Sequence, residues 1–256
     1  MEEYKIDSLV TPQETAYFII MLIISIFFYL ILIISVIGII YAAIIALCLF
    51  FVQGLAVGNI RQNSVKITRE QFGDIYSKVE EYSNKLNLKK VPDVYLMQSG
   101  GLLNAFATRF IFNDIVVIYS DVLEMAYEQG EAAVEFIIAH ELAHVKRNHL
   151  SKKKYIVLAE IIPYLGLAYS RGCEATCDRI AATITDKLPL DGLMVLTAGK
   201  KLYKKVDSKI LIANASQEKG FWGWFAEISS THPSLATRIK YIADMSYTKE
   251  TNNEFA

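Results

Sequence analysis

Charge is missing over a long stretch of this chain. Between Thr15 and Ile60 there is no Asp, Glu, Lys or Arg, and Ala16 to Val52 is almost wholly apolar. A single helix over residues 16–52 would be about 55 Å long, against roughly 30 Å of bilayer hydrocarbon. That length and uniformity exclude an ordinary buried core helix. The acidic start (Glu2, Glu3, Asp7, Glu14) and the excess length exclude a cleaved signal peptide. The run reads as a transmembrane segment. A hairpin of two spans turning near Ser35 to Gly38 is favoured over one long tilted span.

Cysteine is scarce too, with three in 256 residues. An odd, sparse set excludes a disulfide framework and suits a reducing compartment. Net charge is only −1, so no overall field points to nucleic acid. Repeats and low-complexity segments are absent. The basic clusters Lys146-Arg147, Lys152 to Lys154 and Lys200-Lys201/Lys204-Lys205 read as solvated helix faces, with anionic headgroups as the alternative partner. Arg61, Lys66 and Arg69 follow the apolar run, whereas only Lys5 precedes it. The positive-inside tendency therefore places the rest of the chain in the cytoplasm, with the lipid bilayer as a partner.

Histidine is the most informative scarcity. The four are His140, His144, His149 and His232, none of them scattered. His140-Glu141-Leu142-Ala143-His144 puts two imidazoles four residues apart, on one helix face, where they can share a metal ion. Glu141, rotated about a quarter turn away, is placed to take a proton from a metal-activated water. The plain alternative is a buried helix with two satisfied histidines. Against it stands Glu174, which opens a second apolar-patterned stretch and shares a face with Asp178. A catalytic zinc uses three protein ligands and keeps a position open, so His140, His144 and Glu174 form a candidate set. Asp178 is placed to hold the outer N–H of a ligating histidine. Cys173 and Cys177 lie off the Glu174 face and are poor ligand candidates.

These motifs together resemble the HtpX-type membrane zinc metallopeptidases, relatives of the type I CAAX prenyl proteases. The resemblance rests on His140 to His149, Glu174-Ala-Thr-Cys-Asp178-Arg179, Thr231-His232-Pro233-Ser234 with Arg238-Ile239, and Asn104-Ala105-Phe106-Ala107. It covers roughly residues 65 to 245. It implies one Zn²⁺ held by His140, His144 and Glu174, Glu141 as general base, and Asp178 behind the ligands. It further implies that protein or peptide substrates pair along an edge strand at Asn104, Ala105, Phe106 and Ala107. His232 and Arg238 would lie beside the site and steady the oxyanion. Thr231-His232-Pro233 also reads simply as a helix start. Two departures stand out. Integral members often carry two membrane helices between the histidine helix and the third ligand, whereas here the gap holds only Val145 to Cys173. Its apolar part, Tyr155 to Tyr169, is too short to cross, contains Glu160 and Pro163, and is expected to pack as a buried or membrane-grazing helix. The other departure is Cys177, where alanine is common.

The expected fold is α+β and mainly helical: an N-terminal transmembrane segment, then a gluzincin-type zinc metallopeptidase domain with a small β-sheet. A tail (1–15), the membrane segment (16–52), the peptidase domain (65–247) and a C-terminal tail (248–256) divide the chain. Apolar spacing predicts a helix through Phe72, Ile75, Val79, Tyr82 and Leu86. Strands are expected at Val94 to Gln98, Leu103 to Phe110 and Ile115 to Tyr119. Helices are expected at Ser120 to Tyr127, Glu131 to His149 (after a break at Gly130), Asp191 to Val206 and Pro233 to Met245. Another should begin at Gly172 or Cys173. Phe221-Trp222-Gly223-Trp224-Phe225 is read as a core plug in preference to an interfacial anchor. The expected function is a membrane-anchored zinc endopeptidase acting on membrane or membrane-proximal proteins. The alternative is a silent adaptor or holdase that keeps zinc as a staple. Glu141, a base with no purpose in a structural site, speaks against it.

Overall fold

The computed structural model describes residues 6–98, 100, 104–129, 132–185, 193–195, 198–199, 201–217 and 220–242. The apolar run forms two helices. α1 (Pro12–Ile34) starts with Thr11 accepting the Glu14 N–H and with proline at the first helical position, where no N–H is needed. Ser35 is extended, closes α1 and caps α2 (Val36–Asn63) by accepting the Gly38 N–H. A Cβ on Gly38 would lie 2.9 Å from the Leu32 carbonyl oxygen, so glycine permits this tight break. Both helices are long and apolar enough to cross a membrane, and most of their large side chains are exposed.

The sheet has four strands: β1 (Val65–Ile67), β2 (Asp93–Met97), β3 (Ala105–Phe110) and β4 (Asn113–Tyr119), in the order β1-β2-β4-β3. β2 and β4 run parallel, and the other two pairings are antiparallel. The β-branched run Ile115-Val116-Val117-Ile118 is fully buried and makes β4 an inner strand. Its alternation serves two faces. Ile115 and Val117 pack on Val57 and Ile60 of α2, while Val116 and Ile118 join the main core. β3 is left at an edge. α3 (Gly73–Lys85) buries Ile75, Val79 and Tyr82, followed by Leu86, as the spacing predicts.

α4 (Ser120–Gln129) leads to α5 (Ala132–Lys146), which is apolar nearly all round and buried along its length. The predicted metal helix was too long. The chain breaks at Asn148, whose left-handed φ of 53° suits asparagine, and α6 (His149–Ile156) sets off separately. The expected Tyr155 to Tyr169 helix is also divided. A 3₁₀ turn at Val157–Ile161 precedes Pro163, and Tyr164 has φ 64°. α7 (Leu165–Ile184) therefore starts a full two turns before Gly172. It packs on α5 through Cys177, Ile180, Ala181 and Ile184 in the common core.

The remaining helices are α8 (Ser208–Gln217), α9 (Phe221–Ile228) and residues 235–242. Residues 193–195 and 198 are helical, but the predicted Asp191 to Val206 helix does not reach Val206. Tyr203–Lys205 is a separate 3₁₀ turn. Asp191, Leu103, Gly130, Glu131, Met245 and the tail 248–256 lie outside the described residues. The aromatic segment is no core plug: Phe221, Trp222 and Trp224 of α9 are exposed. The class is α+β, mainly helical, with a small mixed sheet behind α5.

Candidate metal centre

α5 and α7 cross so that His140 and His144 face Glu174. The two histidine Nε2 atoms are 3.2 Å apart. Glu174 Oε2 lies 3.2 Å from His140 Nε2, and its Oε1 lies 3.3 Å from His144 Nε2. Donors each about 2.0–2.1 Å from a tetrahedral zinc are separated by roughly 3.3–3.4 Å, so this set matches the ion in both type and spacing. Glu174 is buried, which by itself would raise its pKa. The charge of His144 and the bonds to both histidines instead hold it well below the ordinary carboxylate range.

Each histidine is gripped from behind by a different element. His140 Nδ1 lies 2.9 Å from Asp178 Oδ1. Arg238 donates to both Asp178 oxygens, from Nε and Nη2, each at 2.7 Å. Burial alone would lower His140, but its contacts with Asp178 and Glu174 carry its pKa up to about 10. Asp178 resists burial in the same way, and the Arg238 charge keeps its pKa depressed. A carboxylate behind a ligating imidazole fixes its tautomer and raises its basicity.

His144 is gripped through a second histidine. Its Nδ1 lies 3.0 Å from His149 Nδ1, and His149 Nε2 lies 3.2 Å from Glu14 Oε1. The same oxygen is 3.0 Å from Arg147 Nη2 and 3.4 Å from Lys152 Nζ. Burial holds the His149 pKa down to about 4, against the pull of Glu14. With the proton of a neutral His149 on Nε2, its Nδ1 would be free to accept from His144 Nδ1–H, and the His144 Nε2 lone pair would then face the donor cluster. Glu14 reaches this position because the first turn of α1 docks on α7. Thr11 Oγ1 donates to the Gly172 carbonyl at 3.0 Å, and Thr11 N–H donates to Thr176 Oγ1 at 3.0 Å.

Two other groupings are close enough to ligate a metal: His144, His149 and Cys177, and Glu14, His149 and Cys173. Both include a buried thiol whose pKa burial raises, Cys173 to about 12 and Cys177 well above its ordinary value, and Arg147 and Lys152 already contact Glu14 Oε1.

Glu141 is buried and lines the same cleft as His140, His144 and Glu174. Asn104, Ala105, Phe106 and Ala107 line it as well, and the last three lie on the edge strand β3. Among the described residues β3 pairs only with β4. His232 is half exposed, with Nε2 3.5 Å from Glu174 Oε1. Arg238 lines the cleft but is buried, with its guanidinium spent on Asp178 and its Nη2 3.8 Å from Glu174. Sequence reading missed Glu14, the link through His149, and the Arg238–Asp178 pair. The signal for Glu14 was its position. It is the last charge before the apolar run, and such a group is costly unless it is paired.

A candidate metal centre of two histidines and a carboxylate, beside two long apolar helices, is what the fold and the donor set define. Comparison with known proteins gives the family. Residues 69–161 and 150–246 match the sequence model of Peptidase family M48, and the chain belongs to that family. It is similar to the "Plastoglobule-localized metallopeptidase 48, chloroplastic" of Arabidopsis thaliana, with 27% identity over 154 residues, 53% of this chain and 43% of that protein. It is also similar to a "Protease HtpX homolog" of Fusobacterium nucleatum, with 25% identity covering 65% of this chain and 67% of the relative. A "Protease HtpX homolog" of Helicobacter acinonychis is 21% identical over 70% of this chain and 69% of its own length. The chain thus spans less than half of the plant protein and about two thirds of the two bacterial ones. No solved structure matches it at comparable stringency. Membership of a metallopeptidase family, HtpX-like relatives and two apolar helices agree on a membrane metallopeptidase.

Proposed function

We propose that the chain is a membrane-anchored zinc endopeptidase that cuts membrane or membrane-proximal proteins, with its catalytic domain (65–247) on the cytoplasmic side of a hairpin (16–52). The supporting observation is the convergence of His140 Nε2, His144 Nε2 and Glu174 within 3.3 Å of one another, in a cleft that also holds Glu141 and an edge strand. His140, His144 and Glu174 would hold one Zn²⁺, whose Lewis acidity polarises a water and the scissile carbonyl. Glu141 takes the proton of the attacking water and returns it to the leaving amine. The substrate backbone extends along Asn104 to Ala107 and adds a strand to β3. Asp178 and His149 hold the two imidazoles in register. Arg238 acts through Asp178 as a positioning residue. His232, the one exposed histidine of the group, steadies the developing oxyanion. The cytoplasmic orientation rests on Arg61, Lys66 and Arg69 after the second helix.

The test is cleavage of casein or a model membrane protein by detergent-purified protein loaded with one equivalent of zinc. Glu141→Gln should keep zinc and lose about 10²–10⁴-fold in rate. Chelation should abolish wild-type cleavage, and added zinc should restore it. If the zinc-loaded wild type and the Gln variant are equally inert, the silent adaptor replaces this reading.

A further inference from the structure

The helix α9 carries Phe221, Trp222, Trp224 and Phe225, with Phe221 64% and Trp222 77% exposed. Such a cluster on a free surface calls for a partner. The helix is not loosely attached. Arg171 Nη1 donates to the carbonyls of Ile228 and Ser230 at 2.9 and 2.8 Å, and Tyr164 sets its ring edge-on to Phe225 at 6.3 Å. Tyr164 and Ile161, the latter 75% exposed, extend the apolar surface from α9 toward the hairpin.

The hairpin supplies an exposed apolar surface that the pad continues. Exposed apolar side chains on α1 run from Ile19 to Ile34. Ser25 lies inside that stretch, yet its Oγ accepts the Ala159 N–H at 3.1 Å, and Tyr29 donates to the Lys154 carbonyl at 3.1 Å. The segment 154–164 is therefore pinned beside a part of α1 whose other faces are built for lipid. The other flank repeats the pattern. Phe110, at the end of β3, stacks on Phe50 of α2 at 5.6 Å, and Phe112 beyond it is 86% exposed.

We propose that α9 and the adjoining 161–164 turn form an aromatic pad seated in the bilayer interface, so that the cleft is held against the lipid surface by its own rim and not by the hairpin alone. The occupant is lipid, because the pad is continuous with a surface that already meets lipid. Trp and Tyr favour that depth, with ring bodies in the apolar layer and polar edges at the headgroups. The ion-paired Lys153 and Glu160, 3.5 Å apart, lie at the cleft margin of the same segment. The proposal rests on the membrane reading of the hairpin.

The chain offers its own probes. Its two tryptophans are both in the pad, and Cys48, midway along α2, is its exposed cysteine, with Cys173 and Cys177 buried. The full chain would be labelled at Cys48 with an environment-sensitive fluorophore and reconstituted in phosphatidylcholine–phosphatidylglycerol vesicles. Those vesicles would carry a lipid spin label either near the headgroup or near the chain terminus. We expect headgroup-level label to roughly halve tryptophan emission and aqueous iodide to leave it nearly unchanged, while the Cys48 probe responds to the chain-terminus label. Tryptophans open to iodide and blind to lipid, with Cys48 still quenched, would overturn the pad and leave the hairpin reading standing. Tryptophans shielded from both quenchers would overturn it in favour of a protein partner. If neither probe senses lipid, the membrane reading fails and the pad fails with it.

Discussion

Glu14, in the first turn of the first apolar helix, faces His149 at 3.2 Å, and His149 in turn faces the candidate ligand His144 at 3.0 Å. The first apolar helix is thus linked to the candidate metal centre. Glu14 is 1% exposed and has two further cationic neighbours, Arg147 and Lys152. Its charge is compensated, and its direction is set by Thr11 and Gly172.

Removing that link should loosen the metal without unfolding the chain. Glu14→Gln keeps the shape but no longer demands a proton on His149 Nε2, so the tautomer of His144 is no longer imposed. Losing such an outer partner typically costs 10–100-fold in metal affinity. The check is competition for zinc with a chromophoric chelator, alongside far-ultraviolet circular dichroism. Unchanged zinc affinity in both Glu14→Gln and His149→Ala would sink the coupling.

The docking of α1 on α7 makes a second prediction, at Gly172. A Cβ there would lie 2.7 Å from the Glu14 backbone nitrogen and 3.0 Å from its Cα. Backbone cannot swing aside as a side chain can, so Gly172→Ala must push α1 away from α7. The cost should be about 1–3 kcal/mol, in the range of an overpacked core. Gly58→Ala is the control, because nothing lies within 4 Å of a Cβ at Gly58. There, alanine should be neutral or slightly stabilising in a helix. Thermal unfolding in detergent compares the two, and equal melting temperatures would contradict the packing argument.

Much of this was legible in the sequence, and the rest was hidden for physical reasons. The spacing of His140 and His144 is a local, helical fact, and the apolar run announces itself by length. The Ser35 break could be narrowed to four residues because Ser35 and Gly38 are the weak points of the run. Glu174 needed only a second helix with its carboxylate on the apolar face. Long-range partners carry no such signature. Nothing local says that Glu14 meets His149, or that the buried guanidinium of Arg238 is spent on Asp178. Asn148 and Tyr164 broke expected helices at positive φ, which non-glycine residues seldom adopt. The aromatic run of α9 was misread because hydrophobicity alone does not separate a core side chain from an exposed one.

Arg238 and Asp178 give the last prediction. The carboxylate is buried, lies 2.9 Å from His140 Nδ1 and receives both guanidinium bonds at 2.7 Å. Arg238→Met removes the cation but leaves the buried anion, and breaking such a pair from one side costs about 3–5 kcal/mol. Arg238→Lys should rescue only part of this, since one ammonium cannot reproduce a two-pronged contact. The double variant Arg238→Met/Asp178→Asn separates charge from position. It removes the stranded anion, so much of the stability should return. The His140 imidazole then lacks its carboxylate, so zinc affinity should remain lowered. Recovery of melting temperature without recovery of zinc affinity would mark Arg238 as acting through Asp178. Full recovery of both would mean that the pair has no hold on the metal ligand.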